Sequence, residues 1–316
     1  MTHTHSSHDL SNHERLGHGI LPEHDSVLPE LLALDAALGA PMLATALDAA
    51  GALLEAEPLR VIDLGAGTGT GTIALATRFP NARIHSLDAS FQMLERLIAT
   101  AEAAGVADQV GTHLVDLDGD WSDIVPPGVD LAWAALSLHH MTDPEEVLRQ
   151  VFEVLRPGGV LVVTEFTDVT TYDPADLGTG RNGLGARVVN ELAAHGYPAT
   201  AEWTTVLETA GFAAVERTAS ALTASALTPD GARYLEVLLA RHRALISENL
   251  SREDLAALDD AIATLCVGTS RLQMTSGRAF WTAIRPTNDD PNVSAARDGA
   301  NPIARAKDTP ADEARR

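Results

Sequence analysis

From Leu28 onward, apolar residues recur at three-to-four spacing, at Leu28, Leu31, Leu32, Leu34, Leu38 and Leu43, the spacing of one helix face. Gly39 and Pro41 interrupt the run, and a second helical stretch is predicted from Leu47 to Leu54. At Leu59 the period changes. Leu59–Leu64 is a short apolar run ending in Gly65-Ala66-Gly67-Thr68-Gly69, which reads as a buried strand entering a Gly-rich turn and then a helix over Thr72–Arg78. Further strands are predicted at Arg83–Leu87, closed by Asp88, and at Val110–Val115, ending at Asp116. Two more follow at Val129–Ala135 and Val160–Thr164. Helices fall between them, over Met93–Ala104, stopped by Gly105, and over a segment opened by Asp143 as N-cap with Pro144 at its first position and ended at Arg156-Pro157-Gly158-Gly159. Strands alternating with helices at this spacing predict an α/β fold with a parallel, doubly wound sheet.

Beyond Phe166 the pattern thins. Residues 167–185, rich in Gly, Thr and Asp, read as a loop over the sheet edge. A helix over Thr205–Ala210 broken by Gly211, a strand over Phe212–Thr223, helices over 231–247 and 252–265, and a last strand over Gln273–Ile284 complete the expectation. The chain so divides into a leader over 1–25, a helical N-terminal cap over 26–57, and an α/β domain over 58–285. Lid elements are expected in 167–204 and 229–265, and a polar tail over 286–316. Six of the twelve histidines lie in the leader, with little apolar content and irregular spacing; leader and tail read as disordered.

Charge narrows the partners. Over 316 residues the formal net charge is −22, and Lys307 is the sole lysine, so nucleic acid is not expected as a partner. The single cysteine, Cys266, excludes an intramolecular disulfide and a cysteine-based zinc site, and no metal site is expected. No signal-peptide order and no apolar run of about 18 residues stand out, so the expectation is a cytoplasmic protein without a membrane partner. A homodimer stays open, because Tyr234, Leu235, Leu238 and Leu239 form a core or dimer-packing face.

A Gly-rich turn ahead of a helix lets backbone approach a ligand, but nucleotide, flavin and methyl-donor sites all use it. The dinucleotide pattern G-x-G-x-x-G fails in both registers: its sixth position is Thr70 counted from Gly65 and Thr72 counted from Gly67. An NAD(P)-dependent oxidoreductase is therefore the weaker alternative. Asp63, just before the glycines, suits a ligand with an ammonium group.

Four ordered segments, Val61–Gly69, Asp88, Asp116 and Leu155–Gly159, resemble the class I S-adenosylmethionine-dependent methyltransferases over about residues 58–166. The resemblance implies a Rossmann-like sheet of seven strands with the last antiparallel, and S-adenosylmethionine as cofactor, leaving as S-adenosylhomocysteine. It implies transfer to a small-molecule acceptor, of the kind met in actinobacterial secondary metabolism. A non-catalytic donor-binding protein with a regulatory or assembly role is the other reading. On the resemblance, Gly65, Ala66, Gly67 and Gly69 keep backbone close to the methionine part of the donor, and Asp63 answers its ammonium. Asp88 takes the ribose hydroxyls, with Ala89 and Met93 following it, while Asp116 and Leu117 meet the adenine. Ala135, or Ala134, lines the methionyl end.

His140 and His139 follow the fourth strand at the sheet's carboxyl edge, where ligands bind in doubly wound folds. Two readings stand for them: a general base that takes the acceptor's proton, with His140 the first candidate, or a packing and positioning role. Tyr172, Arg181, His195, Tyr197 and Trp203 fall in substrate-covering segments of the family, and the sequence does not rank them.

Overall fold

The computed structural model describes residues 27–197 and 200–287; the His-rich leader and all but the first two residues of the tail lie outside the described residues. Five parallel strands carry the centre of the sheet: β1 (Arg60–Leu64), β2 (Arg83–Asp88), β3 (Val110–Leu114), β4 (Val129–Ala135) and β5 (Leu155–Phe166), in the order β3-β2-β1-β4-β5. The last strand, β8 (Gln273–Ile284), runs antiparallel to β5. Its other edge pairs along its full length with β7 (Ala213–Ser225). The sheet has eight strands rather than seven. The extra one is the three-residue β6 (Thr171–Asp173), which pairs with the start of β8 where β5 has ended.

Both faces of the central strands are covered, which is why they read as near-continuous apolar runs. Ile62, Leu64, Ala132, Ala134, Leu161 and Val163 face one core with helices α4 (Pro144–Val154) and α6 (Trp203–Thr209). Val61, Leu131, Trp133, Val160 and Val162 face another with α2 (Thr70–Arg78) and the second half of α1 (Leu28–Leu53). On the edge of the sheet α3 (Phe91–Ala104) starts at Ser90, whose hydroxyl accepts from Met93 N, and stops at Gly105 in the left-handed region.

A third core lies beyond the five parallel strands. Helices α5 (Leu184–Ala194), α7 (Pro229–Leu245) and α8 (Arg252–Cys266) pack with β6, the start of β8 and Leu31 of α1 around Leu184, Leu235, Leu238 and Leu258. Asp254 of α8 binds both Arg181, just ahead of α5, and Arg187 on it, tying α8 to α5.

Three elements differ from the sequence expectation: α1, α5 and β6, the last standing inside the segment 167–185 read as loop. α1 is one helix of 26 residues that passes through Gly39 and Pro41. Its two halves bury against different cores, and this packing on both sides of Pro41 outweighs the one hydrogen bond a proline removes. α1 is also the one helix among the described residues long and apolar enough, by length and composition, to cross a membrane. Here it caps the sheet, and Asp35 on it is bonded to the buried Arg278 of β8 through both terminal nitrogens, at 2.9 and 2.7 Å. α5 begins at the end of the segment read as loop, at Leu184, and continues through residues for which the sequence predicted no helix. Leu184, Val188 and Leu192, spaced four apart, are its buried face.

Candidate functional site

The sheet order reverses between β1 and β4, and their carboxyl ends open a crevice there. The ends stay close because Gly65 has no side chain: a Cβ on it would stand 2.5 Å from Ser137 Cβ. Ser137 in turn donates to the Leu64 carbonyl at 2.7 Å and fixes the two strand ends together. Between this crevice and helices α1, α5 and α7 lies a cavity of about 820 Å³.

Its floor gathers most of the residues singled out from sequence. Asp63, Gly65, Ala66, Gly67, Asp88 and Ala89 line it, as do Met93, Asp116, Leu117 and Ala135. Gly69 does not. It is the left-handed N-cap of α2 (φ +94), and a Cβ there would meet Leu97 Cγ at 2.7 Å, so it sets how closely α2 and α3 approach. Ala134 is buried in the core below and leaves the wall to Ala135.

Asp88 organises the turn. Its Oδ2 accepts from Gly67 N and its Oδ1 from Ser90 N, both at 2.8 Å, so the carboxylate ties the Gly-rich loop to the start of α3. Burial raises its carboxyl, against the pull of those two N–H groups. Asp63 is more extreme. Burial pushes it up to about 7, although Thr72 donates to its Oδ2 at 2.6 Å. The Trp133 indole N–H, which also lines the cavity, has no hydrogen-bond partner among the described residues. Asp116 closes its own turn by accepting from Asp118 N at 3.1 Å, while Asp118 holds the loop after β4 by accepting from Thr142 N at 2.8 Å.

S-adenosylmethionine suits this floor on the chemistry of its donor set. Carboxyl groups at Asp63, Asp88 and Asp116 line the floor, where they would suit a cationic ligand with a ribose diol. The space above Gly67, where a Cβ would find nothing within 4 Å, leaves backbone open to it.

His139 and His140 both line the cavity, on a short 3-10 turn over Leu138–His140. Sequence reasoning missed the residue that distinguishes them. Glu165, near the end of β5 and 0% exposed, accepts from His139 N at 3.3 Å through Oε1, and its Oε2 stands 2.7 Å from His139 Nδ1. The signal was legible: an acid inside the apolar run Val160–Phe166 needs a buried partner. The ring of His140 lies 4.0 Å from that of His139, and Phe166 packs edge-on against His139.

The substrate-segment candidates separate. Tyr172 and Tyr197 line the cavity, joined by Asp35, Tyr234, Arg241, His242 and Arg278, none of which had been singled out as site residues. Trp203 is buried in the core below α4, Arg181 pairs with Asp254, and His195 is exposed with its Nδ1 against Glu191 O. Among the described residues no group of three or more His, Cys, Asp or Glu could hold a metal ion.

Residues 62–161 match the family model described as a methyltransferase domain. Among curated relatives, a 27-O-demethylrifamycin SV methyltransferase of Amycolatopsis mediterranei is 35% identical over 108 residues, 34% of this chain and 38% of the relative. A tRNA 5-carboxymethoxyuridine methyltransferase of Escherichia coli is 37% identical over 105 residues, 33% of this chain and 39% of the relative. The chain thus spans about two-fifths of the length of the curated relatives it matches. A crystal structure of a methyltransferase-like protein from Bacillus halodurans shares the fold at TM-score 0.53 and 18% identity, covering 78% of this chain and 99% of that one.

Proposed function

We propose that this chain, which carries a class I S-adenosylmethionine-dependent methyltransferase domain, transfers the donor's methyl group to a small organic acceptor enclosed beneath the lid. The observation that carries the reading is one continuous cavity with the carboxylates of Asp63, Asp88 and Asp116 on its floor and His139, backed by the buried Glu165, on its wall.

When bound, the cofactor supplies an electrophilic methyl group on a sulfonium. Asp88 would hold the ribose, Asp63 the ammonium, Asp116 and Leu117 the adenine, and the backbone of Gly65–Gly67 and Ala135 the methionyl part. The protein's further task is to place a nucleophile in line and remove its proton. Glu165, buried and accepting from Nδ1–H, leaves Nε2 of His139 as the ring nitrogen with a free lone pair, and orients it. His139 is therefore the general base of this proposal, and His140 shapes the wall beside it, which reverses the order of preference drawn from sequence.

The acidic charge of −22 and a lid built from α1, α5 and α7 favour an enclosed small molecule over an RNA, although one relative is named for a tRNA and another for a rifamycin. A role in secondary metabolism and a cytoplasmic location belong to the same proposal, as does the division into cap, catalytic domain and lid. Incubating the protein with methyl-deuterated S-adenosylmethionine and an extract of its source cells tests it. A small molecule should gain the labelled methyl group as S-adenosylhomocysteine accumulates. Label found only in RNA would refute the small-molecule acceptor, and donor binding without transfer would favour the non-catalytic reading.

A further inference from the structure

We propose that the part of the cavity walled by Tyr172, His242, Arg241 and Arg278 binds the carboxylate of an organic-acid acceptor, an assignment that rests on the methyltransferase reading for the word acceptor alone. Buried polar groups in folded proteins are nearly always hydrogen-bonded, so a cluster that is not invites a ligand. Tyr172 Oη, Arg278 Nε and both ring nitrogens of His242 are buried without a hydrogen-bond partner among the described residues, and all three side chains line the one cavity. His242 is 4% exposed and Arg278 2%.

The chemistry of the set selects its ligand. Asp35, the acid of this wall, is already engaged: it accepts from both terminal nitrogens of Arg278 and from Tyr234 Oη at 3.1 Å. Burial and the neighbouring Arg241 charge hold His242 down to about 3, so at neutral pH it offers one N–H and one lone pair. The unmet groups thus offer three donors, the Tyr172 O–H, the Arg278 Nε–H and the His242 N–H, and as acceptors the Tyr172 oxygen and one ring lone pair. Such a set asks for oxygen acceptors. Arg241, 7% exposed, brings a guanidinium to the same wall whatever else it touches, and with Arg278 it disfavours a cationic group. A carboxylate answers both the donors and the charge.

Three probes of matched size test this by calorimetry on the full chain, with and without S-adenosylhomocysteine: naphthalene-2-carboxylate, naphthalene-2-carboxamide and 2-naphthylmethylammonium. The carboxylate should bind at least about tenfold more tightly than the amide, and the ammonium least. Tyr172→Phe should weaken carboxylate binding about fivefold while raising the melting temperature of the ligand-free chain, because it removes a buried hydroxyl that lacks a partner. His242→Asn, which keeps a donor and an acceptor, should retain more affinity than His242→Phe. Equal or tighter binding of the amide or the ammonium, no binding of any probe, or a Tyr172→Phe variant with unchanged affinity would overturn the proposal. S-adenosylhomocysteine binding without a carboxylate preference would sink the anion pocket alone. A carboxylate preference without S-adenosylhomocysteine binding would sink the methyltransferase reading and leave the pocket standing.

Discussion

Asp63 couples folding, ligand charge and pH in one side chain. Folding raises its carboxyl from 3.8 to about 7, so the native state holds a proton that the unfolded chain has lost. Its contribution to stability is complete below 3.8 and is lost as pH rises towards 7. Thermal unfolding across that window should show the loss in the natural protein and a flatter profile in Asp63→Asn. A ligand ammonium beside it prefers the ionised form. S-adenosylhomocysteine affinity should therefore rise with pH through about 7, and Asp63→Asn should lose that dependence. The histidine pair makes a separate prediction. Glu165→Gln keeps the shape but weakens the acceptor that orients His139, so kcat should fall by about two orders of magnitude with the KM for the donor little changed. Asp63 and the Gly-rich turn were legible because an acid and glycines at fixed places after a strand have few other uses. For Glu165 the sequence signals a buried acid but not its partner, because that contact spans 26 residues of chain.

Among the elements, the strands β1 to β5 were readable because burial on both faces writes itself as unbroken apolar runs. Helix α1 misled because local rules stop a helix at Gly39 and Pro41, whereas two separate cores hold it through them. α5 carried a four-residue apolar period that the surrounding glycines obscured. The joint between α1 and the sheet is the ion pair of Asp35 with Arg278. Arg278 is 2% exposed, so Asp35→Ala would leave a guanidinium buried without its partner. Urea denaturation should show a loss of about 3–5 kcal/mol, far more than an exposed pair such as Arg243–Asp259 would cost. A loss below about 1 kcal/mol would mean that α1 is held by its apolar face alone.

On the scale of the whole molecule, a donor floor assembled within residues 63–135 meets an upper wall drawn from α1, β6, α7 and β8. The floor could be read from sequence because its parts lie at the ends of successive strands. The wall could not, since Asp35 and Arg278 are 243 residues apart and nothing in the pattern of either segment announces the other. On the proposed function, acceptor choice belongs to that wall, since specificity sits in the variable segments of a fold. The floor, by contrast, makes one direct claim. Calorimetric titration of S-adenosylhomocysteine into the full chain, beside Asp88→Ala, tests it. Asp88 accepts from Gly67 N and Ser90 N and faces the cavity, so the natural protein should bind one equivalent and the variant should bind at least about tenfold more weakly. Absence of binding, or equal binding by the variant, would contradict a donor site organised by Asp88.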